Sequence, residues 1–182
     1  LNLADFFRLN GISYEALPIE TNDEGKENLF AGRCDVYTTD ASGLSSTRAA
    51  ASNPDKWVVL PEIISKEPLG PLVRHGDHQW GDVVRWSLNA MIIAEELGVT
   101  SENVDAQLGS NVPEVLRLLG VEGSYGEMLE LAPDWAYQII KQIGNYSESY
   151  EANVGPDTPL EIARGLNALW TQGGILYAPP FR

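Results

Sequence analysis

Asp40 is the side chain whose type and position best suit ligand binding. It follows residues 35–39 (DVYTT), part of a predicted strand, and precedes the small residues of a predicted helix start at 41–43 (ASG). A carboxylate at such a place could hold a ligand ammonium through charge-assisted hydrogen bonds. An Asp before a helix is also typical of an N-cap, which accepts hydrogen bonds from backbone N–H groups of the first turn. The residues themselves leave both interpretations open.

A second group that could do chemistry is the pair of histidines, His75 and His78, with Asp77 between them. Metal-binding histidines usually lie four residues apart on a helix face or two apart on a strand. These two lie three apart across Gly76, and no third ligand is apparent. We therefore interpret Asp77 as the N-cap of the next helix and predict no metal site. A small hydrolase or metal-dependent enzyme that uses Asp40 and the His75/His78 loop stays open as the alternative function.

Other motifs of enzymes and cofactor-binding proteins are absent from the sequence. Ser42, Ser45 and Ser46 lie near a glycine, but not in the G-x-S-x-G pattern of a nucleophile elbow. Neither a G-x-G-x-x-G nor a G-x-x-x-x-G-K phosphate loop occurs. We predict that the protein is not an enzyme and requires no cofactor.

Composition excludes one class of partner and limits the cysteine chemistry. The 182 residues include 26 acidic and 12 basic side chains, for a net charge of -14. Binding to nucleic acid needs clustered Lys and Arg that displace counterions, so no nucleic-acid partner is predicted. Cys34 is the only cysteine, which rules out a disulfide within this chain. No apolar run approaches the roughly 20 residues of a membrane span.

The first 75 residues or so alternate helical and strand patterns. Helices are predicted over 1–10, 22–31 and 42–51, and strands over 12–18, 34–39, 57–60 and 69–74. This order predicts a mainly parallel sheet with helical crossovers, although the pattern lacks a strand before the first helix. Ligand clefts in such sheets lie at the carboxyl ends of strands, where Asp40 is found.

The rest of the chain has an almost wholly helical pattern. An apolar stripe predicts one long helix that ends at Gly98; it comprises Trp80, Val84, Leu88, Met91, Ile92 and Leu97. Shorter helices are predicted from Pro113 to Gly120 and from Pro133 to Gly144. Residues 158–161 (TPLE) have the form of a capping box that opens a last helix through Trp170. The helical patterns place Trp80, Trp86, Trp135 and Trp170 in the core.

Residues 32–40 (GRCDVYTTD) resemble the second-lobe segment of polar amino-acid receptors, in which a G-R-x-D-x-x-x-x-D stretch carries the ligand-binding Asp. The wider sequence is similar to the general L-amino-acid receptors of Gram-negative ABC importers, and the resemblance extends over essentially the whole chain. The stretches that carry it are 1–7 (LNLADFF), 60–71 (LPEIISKEPLGP), 134–137 (DWAY) and 162–170 (IARGLNALW).

The resemblance implies a type II periplasmic-binding-protein fold, in which two lobes close over a ligand. Asp40 would bind the ligand α-ammonium, with Thr39 beside it. Residues 1–68 would form an α/β part of the second lobe with a parallel sheet, and 69–182 a return strand and a mostly helical region that packs on the missing first lobe. The hinge would consist of Glu62, Ile63, Ile64, Ser65 and Lys66.

The resemblance also implies a location and partners. The complete receptor would lie in the periplasm after loss of a signal peptide, bind a free L-amino acid and deliver it to an ABC permease in the inner membrane. Cys34 would pair with a cysteine in a strand that precedes Leu1. The groups that bind the ligand carboxylate would also precede Leu1, so we expect this chain to bind no amino acid as a monomer. It would associate with itself or with a missing N-terminal segment.

Overall fold

A computed structural model describes residues 2–66 and 68–182 of the chain. Leu1, at the start of the first predicted helix, and Glu67, beside the predicted hinge, lie outside the described residues. The chain divides into two compact units, residues 1–70 and 71–182. Asp40 therefore belongs to the first unit, and both histidines belong to the second.

Three short helices form the framework of the first unit: α1 (Asn2–Leu9), α2 (Asn22–Phe30) and α3 (Ala41–Ala49). Capping explains where two of them begin. Thr21 Oγ1 accepts a hydrogen bond from Glu24 N (3.2 Å) at the start of α2, and Asp40 caps α3 in the same way. In the described residues the three predicted helices are confirmed, with ends that differ by at most two residues.

The parallel sheet that the sequence predicts is not formed by the described residues. The segments 12–18, 34–39, 57–60 and 69–74 contain no strand, and the β-bridge found in the described chain joins Leu169 to Leu176. A strand requires the N–H and C=O groups of a neighbouring strand along its edge. Alternating side chains report which face is apolar and carry no information on whether such a neighbour is present.

Helices make up most of the regular structure of the second unit: α4 (His78–Glu96), α5 (Val104–Gln107), α6 (Pro113–Leu118), α7 (Tyr125–Met128), α8 (Trp135–Ile143) and α9 (Tyr146–Asn153). The long helix α4 packs against α6, α8 and α9. Asp77 fixes its start, because the carboxylate accepts a hydrogen bond from Trp80 N (3.1 Å); the predicted N-cap is confirmed. In the described part of the chain, no helix combines the length and the apolar character needed to cross a membrane.

The apolar core lies among these helices. Its largest fully buried side chains are Val99, Val104, Leu118, Leu119 and Ile140. Near the end of the chain, the Phe181 ring packs against Trp86 and Trp135, with ring centroids 5.2 and 6.1 Å away. The core positions predicted for Trp86 and Trp135 are therefore confirmed. Those predicted for Trp80 and Trp170 are wrong, since 55% and 51% of these residues are exposed.

The last predicted helix is also wrong. Thr158 Oγ1 donates a hydrogen bond to Gly155 O (2.8 Å) and accepts one from Leu160 N (3.2 Å), which closes a turn in place of a helix start. Local bonds of this kind compete with the helical ladder. Glu161 then adopts a φ of 53°, in the left-handed region that a right-handed helix cannot contain. Short 3₁₀ turns follow at Gly165–Asn167 and Trp170–Gln172.

Candidate ligand-binding site

Asp40 lies where segment 34–39 ends and α3 begins. Its Oδ2 accepts hydrogen bonds from Ser42 Oγ (2.6 Å) and Gly43 N (2.9 Å), while its Oδ1 accepts one from Thr39 Oγ1 (3.3 Å). The N-cap interpretation of Asp40 is therefore confirmed. A carboxylate has about four acceptor positions, so capping the helix still leaves acceptor capacity for a ligand.

The hydrogen bonds to Asp40 stabilise its charged form. The Ser42 hydroxyl and then the Gly43 N–H lower the pKa of Asp40 below its usual value, and together they outweigh the opposite effect of burial. The carboxylate is therefore negative at neutral pH. This is the state that can form charge-assisted hydrogen bonds with an ammonium group.

A cavity of about 260 Å³ opens beside Asp40. Three parts of the first unit line it, namely the start of α1, the end of segment 34–39 and the predicted hinge. The lining residues are Asn2, Leu3, Thr38, Thr39, Asp40, Ile64 and Ser65. Five of the seven lining residues are polar, and a space of this size suits a small polar molecule better than a drug-sized one.

The cavity brings together some of the residues that the sequence predicts for the site. Thr39 and Asp40 line it together with Ile64 and Ser65 from the predicted hinge. The other hinge residues are exposed and do not line it: Glu62, Ile63 and Lys66. The candidate ligand-binding residues and part of the predicted hinge are thus neighbours within the first unit.

A second, smaller cavity of about 110 Å³ also borders Thr39 and Asp40. Residues of α2 and α3 line it, among them Lys26. The Lys26 ammonium forms an ion pair with Asp23 Oδ1 at 3.1 Å. The Tyr37 hydroxyl, which also lines this cavity, donates a hydrogen bond to Asn22 Oδ1 at 3.1 Å.

Sequence reasoning did not assign Ser42, Asn2 or Lys26 to the site. A signal existed for Ser42, because a hydroxyl two residues after an N-cap Asp lies in the first helical turn, within reach of that carboxylate. Asn2 and Lys26 had no such signal. They border the site because α1 and α2 pack near segment 34–39, and no local pattern encodes that packing.

The residues of the alternative enzyme site do not form a metal centre. His75 and His78 are exposed. Among the described residues, no cluster of three or more His, Cys, Asp or Glu side chains could hold a metal ion. Cys34 is a partly buried free thiol in the chain as described.

Comparison with known proteins shows which proteins the chain is similar to. No family model matches the chain. Along its whole length it is 54% identical to the glutamate/glutamine/aspartate/asparagine-binding protein BztA of Rhodobacter capsulatus and 54% identical to the general L-amino acid-binding periplasmic protein AapJ of Rhizobium johnstonii. Over its whole length the chain is thus similar to one part of the amino-acid-binding proteins of ABC transporters. A solved structure of an ABC transporter / periplasmic binding protein from Brucella ovis with glutathione bound is 50% identical to it.

The match to this family extends over part of each relative. The chain spans about half the length of the curated relatives, 54% in both cases, and 57% of the solved chain. The TM-score of 0.92 over all of this chain shows that its backbone follows a periplasmic binding protein. The general fold class is thus confirmed, while the predicted parallel sheet is not formed by the described residues.

Proposed function

We propose that this chain is part of a periplasmic receptor that captures free L-amino acids and delivers them to an ABC permease, without chemical turnover. The observation that carries the proposal is an ionised Asp40 that borders a small polar cavity. A carboxylate in this state pairs with the α-ammonium, which every free L-amino acid possesses. The names of BztA and AapJ, both amino-acid-binding proteins, support the same ligand class.

In this proposal Asp40 binds the α-ammonium and the Thr39 hydroxyl lies beside it. The described residues that line the larger cavity include no cationic side chain. The ligand carboxylate would therefore be bound mainly by the part of the receptor that lies outside this chain. Capture of the amino acid would then need two sets of protein groups, one for its ammonium and one for its carboxylate.

We further propose that residues 1–68 belong to one lobe of the receptor, with residues 62–66 as its hinge, and that 69–182 pack largely on the other lobe. Ile64 and Ser65 line the same cavity as Asp40, so a change of backbone angles in this segment would alter the cavity. Segment 34–39 would become a strand when the rest of the receptor supplies a neighbouring strand. Hydrogen exchange of its amides, faster in this chain than in the complete receptor, would support that assignment.

A disulfide at Cys34 belongs to the same proposal. AapJ is named as a periplasmic protein, and the periplasm is an oxidising compartment in which disulfides persist. Cys34 would then pair with a cysteine outside this chain. Alkylation of the complete receptor under denaturing, non-reducing conditions tests the pairing, and a labelled Cys34 would contradict it.

Titration calorimetry of the complete receptor with a panel of L-amino acids tests the function. Asp40→Ala should weaken binding more than about 30-fold, since loss of one partner of a buried charge pair typically costs 2 kcal/mol or more. Asp35→Ala removes an exposed carboxylate from the same segment and is the matched control, with an expected Kd close to that of the wild type. An unchanged Kd in Asp40→Ala would remove Asp40 from the site, and turnover of a bound compound would favour the enzyme alternative.

The present chain by itself serves as a further control. It should bind no amino acid with micromolar affinity, because water stays in an open cleft and weakens each charge contact. Light scattering should show self-association, since Trp80, Leu166 and Trp170 expose more than half of their surface. Micromolar binding by a monomer of this chain would contradict the two-part site.

A further inference from the structure

The two oxygens of the Asp40 carboxylate have different surroundings. Oδ2 accepts short hydrogen bonds from Ser42 Oγ (2.6 Å) and Gly43 N (2.9 Å). Oδ1 accepts a hydrogen bond from Thr39 Oγ1 at 3.3 Å. The Ser42 contact has the length of a strong bond to a charged oxygen, whereas the Thr39 contact is longer than an ordinary O–H···O bond. Oδ1 therefore retains most of its acceptor capacity.

Gly43 explains how the carboxylate can lie so close to the first turn of α3. A Cβ atom at this position would lie 3.0 Å from Asp40 Oδ1 and 3.3 Å from Oδ2. The same atom would lie 3.3 Å from the Thr39 methyl group. A side chain at residue 43 would thus force the carboxylate or the Thr39 methyl group to shift by a few tenths of an ångström.

We propose that Ser42 is a positioning residue: its hydroxyl and the Gly43 N–H hold Asp40 Oδ2 at the start of α3, so that Oδ1 is the oxygen that receives the ligand α-ammonium. The inference rests on the proposed amino-acid-binding function of the cavity. Ser42 acts through Asp40 and does not itself contact the ligand. Without its hydroxyl, the carboxylate loses its shortest hydrogen bond and is held at Oδ2 by the Gly43 N–H.

Few other charges surround Asp40. Lys26 of α2 and the Tyr37 hydroxyl of segment 34–39 line the smaller cavity with it, and Lys26 is paired with Asp23 at 3.1 Å. The described residues that line the larger cavity, from α1 and the hinge segment, include no other charged side chain. Loss of the Ser42 hydrogen bond is therefore expected to raise the pKa of Asp40, because that bond favours the charged form.

A carbon-13 NMR titration of the Asp40 carboxyl group in the unliganded complete receptor tests the arrangement without any ligand. Ser42→Ala should titrate at a higher pH than the wild type. Ser42→Thr retains the hydroxyl and should titrate close to the wild type. An Asp40 titration that is the same in Ser42→Ala and the wild type would overturn the inference.

Calorimetry then tests the consequence for binding. Ser42→Ala should raise the Kd for L-amino acids roughly tenfold at neutral pH, as expected for loss of a hydrogen bond to a charged group. Its affinity should also begin to fall at a higher pH on acidification, and Ser42→Thr should restore both properties. A purely structural role would lower the thermal midpoint without moving this pH profile.

One more variant separates failure of the inference from failure of the proposed function. Asp40→Ser keeps an oxygen that can cap α3 but removes the charge, so it should abolish binding with little change in thermal midpoint. If Asp40→Ser abolishes binding while Ser42→Ala leaves the Kd and its pH profile unchanged, the positioning role is overturned and the receptor function stands. If the wild-type receptor binds no amino acid, the proposed function fails and the role of Oδ1 fails with it.

Discussion

The two units of the chain bury different kinds of residue. In residues 71–182 the buried residues are mainly aliphatic and aromatic, whereas in the described part of 1–70 they are Gly25, Asn28, Ser45 and Thr47. Apolar side chains of the first unit such as Val36 and Leu60 are largely exposed. Apolar burial is the dominant favourable contribution to folding, so the second unit has its own source of stability.

The unit with most of the apolar burial is therefore not the unit that contains the candidate ligand-binding residues. The candidate ligand groups, Thr39 and Asp40, lie in the unit with little apolar burial, where α1 buries no residue. Regions with few buried apolar contacts open with low free energy, and elements that move on ligand binding come from such regions. We therefore expect substitutions in the second unit to change the free energy of unfolding far more than equivalent substitutions in the first.

The largest effect is expected at Arg164. Its Nη2 is 3.0 Å from both carboxylate oxygens of Glu95, and these side chains are 15% and 8% exposed. The guanidinium also lies over the rings of Tyr146 and Tyr150, 5.3 Å from each centroid. Arg164→Ala leaves Glu95 with a buried charge and should lower the free energy of unfolding by about 3–5 kcal/mol in denaturant titrations.

Arg8 is the matched control in the first unit. It pairs with Asp5 at 2.7 Å, but the two side chains are 79% and 53% exposed. Exposed ion pairs contribute little, so Arg8→Ala should change the free energy of unfolding by less than about 1 kcal/mol. Similar losses in the two variants would mean that the units do not differ in the way their burial indicates.

A smaller but still large effect is expected for a pair of leucines that end helices. Leu118 is the last residue of α6 and is 2% exposed, while Leu9 is the last residue of α1 and is 82% exposed. Leu118→Ala should cost about 3 kcal/mol, since it removes buried methyl groups and leaves a cavity. Leu9→Ala should stay within about 0.5 kcal/mol. Urea unfolding of both variants measures the difference, and a large loss in Leu9→Ala would reveal apolar contacts in the first unit.

The same contrast explains what the sequence could predict. Helix starts depend on groups within a few residues of each other, which is why Asp40 and Asp77 are recognisable as caps. The pairing of strands depends on partners distant in the chain, so alternation over 34–39 did not reveal whether a partner was present. Asp40 was recognisable as a candidate ligand group from its position, but its proximity to Asn2 and Lys26 follows from packing.

Even capping motifs are ambiguous when a turn can use the same groups. Thr158 and Glu161 have the spacing of a capping box, yet the Thr158 hydroxyl closes a turn. Asn145 and Glu148 have the same spacing and do form the box that opens α9. What distinguishes the second pair is a tertiary contact, because Glu148 also accepts a hydrogen bond from Ser101 Oγ at 2.6 Å.

The smallest expected effect concerns two capping glutamates. Glu148 accepts hydrogen bonds from Asn145 N (2.8 Å) and from the Ser101 hydroxyl and amide, while the exposed Glu24 accepts one from Glu20 N (2.9 Å). Glu148→Gln should lower the free energy of unfolding by about 1.5 kcal/mol, because hydrogen bonds to a charged acceptor are lost. Glu24→Gln should change it by less than about 0.5 kcal/mol.

The pH dependence of this last effect shows whether the charge of Glu148 is responsible. Burial raises the pKa of Glu148, but the hydrogen bonds from Ser101 and Asn145 outweigh burial and hold the pKa below its usual value. A carboxyl group with a lower pKa in the folded state stabilises fully above its unfolded pKa, and this contribution is lost as the pH falls through the folded pKa. The gap between wild type and Glu148→Gln in urea unfolding should therefore be constant near neutral pH and shrink below about pH 4. All other carboxylates are present in both proteins, so their titration cancels in the difference between the two free energies of unfolding. A difference that is undiminished at about pH 2 would show that the shape of Glu148, and not its charge, is stabilising.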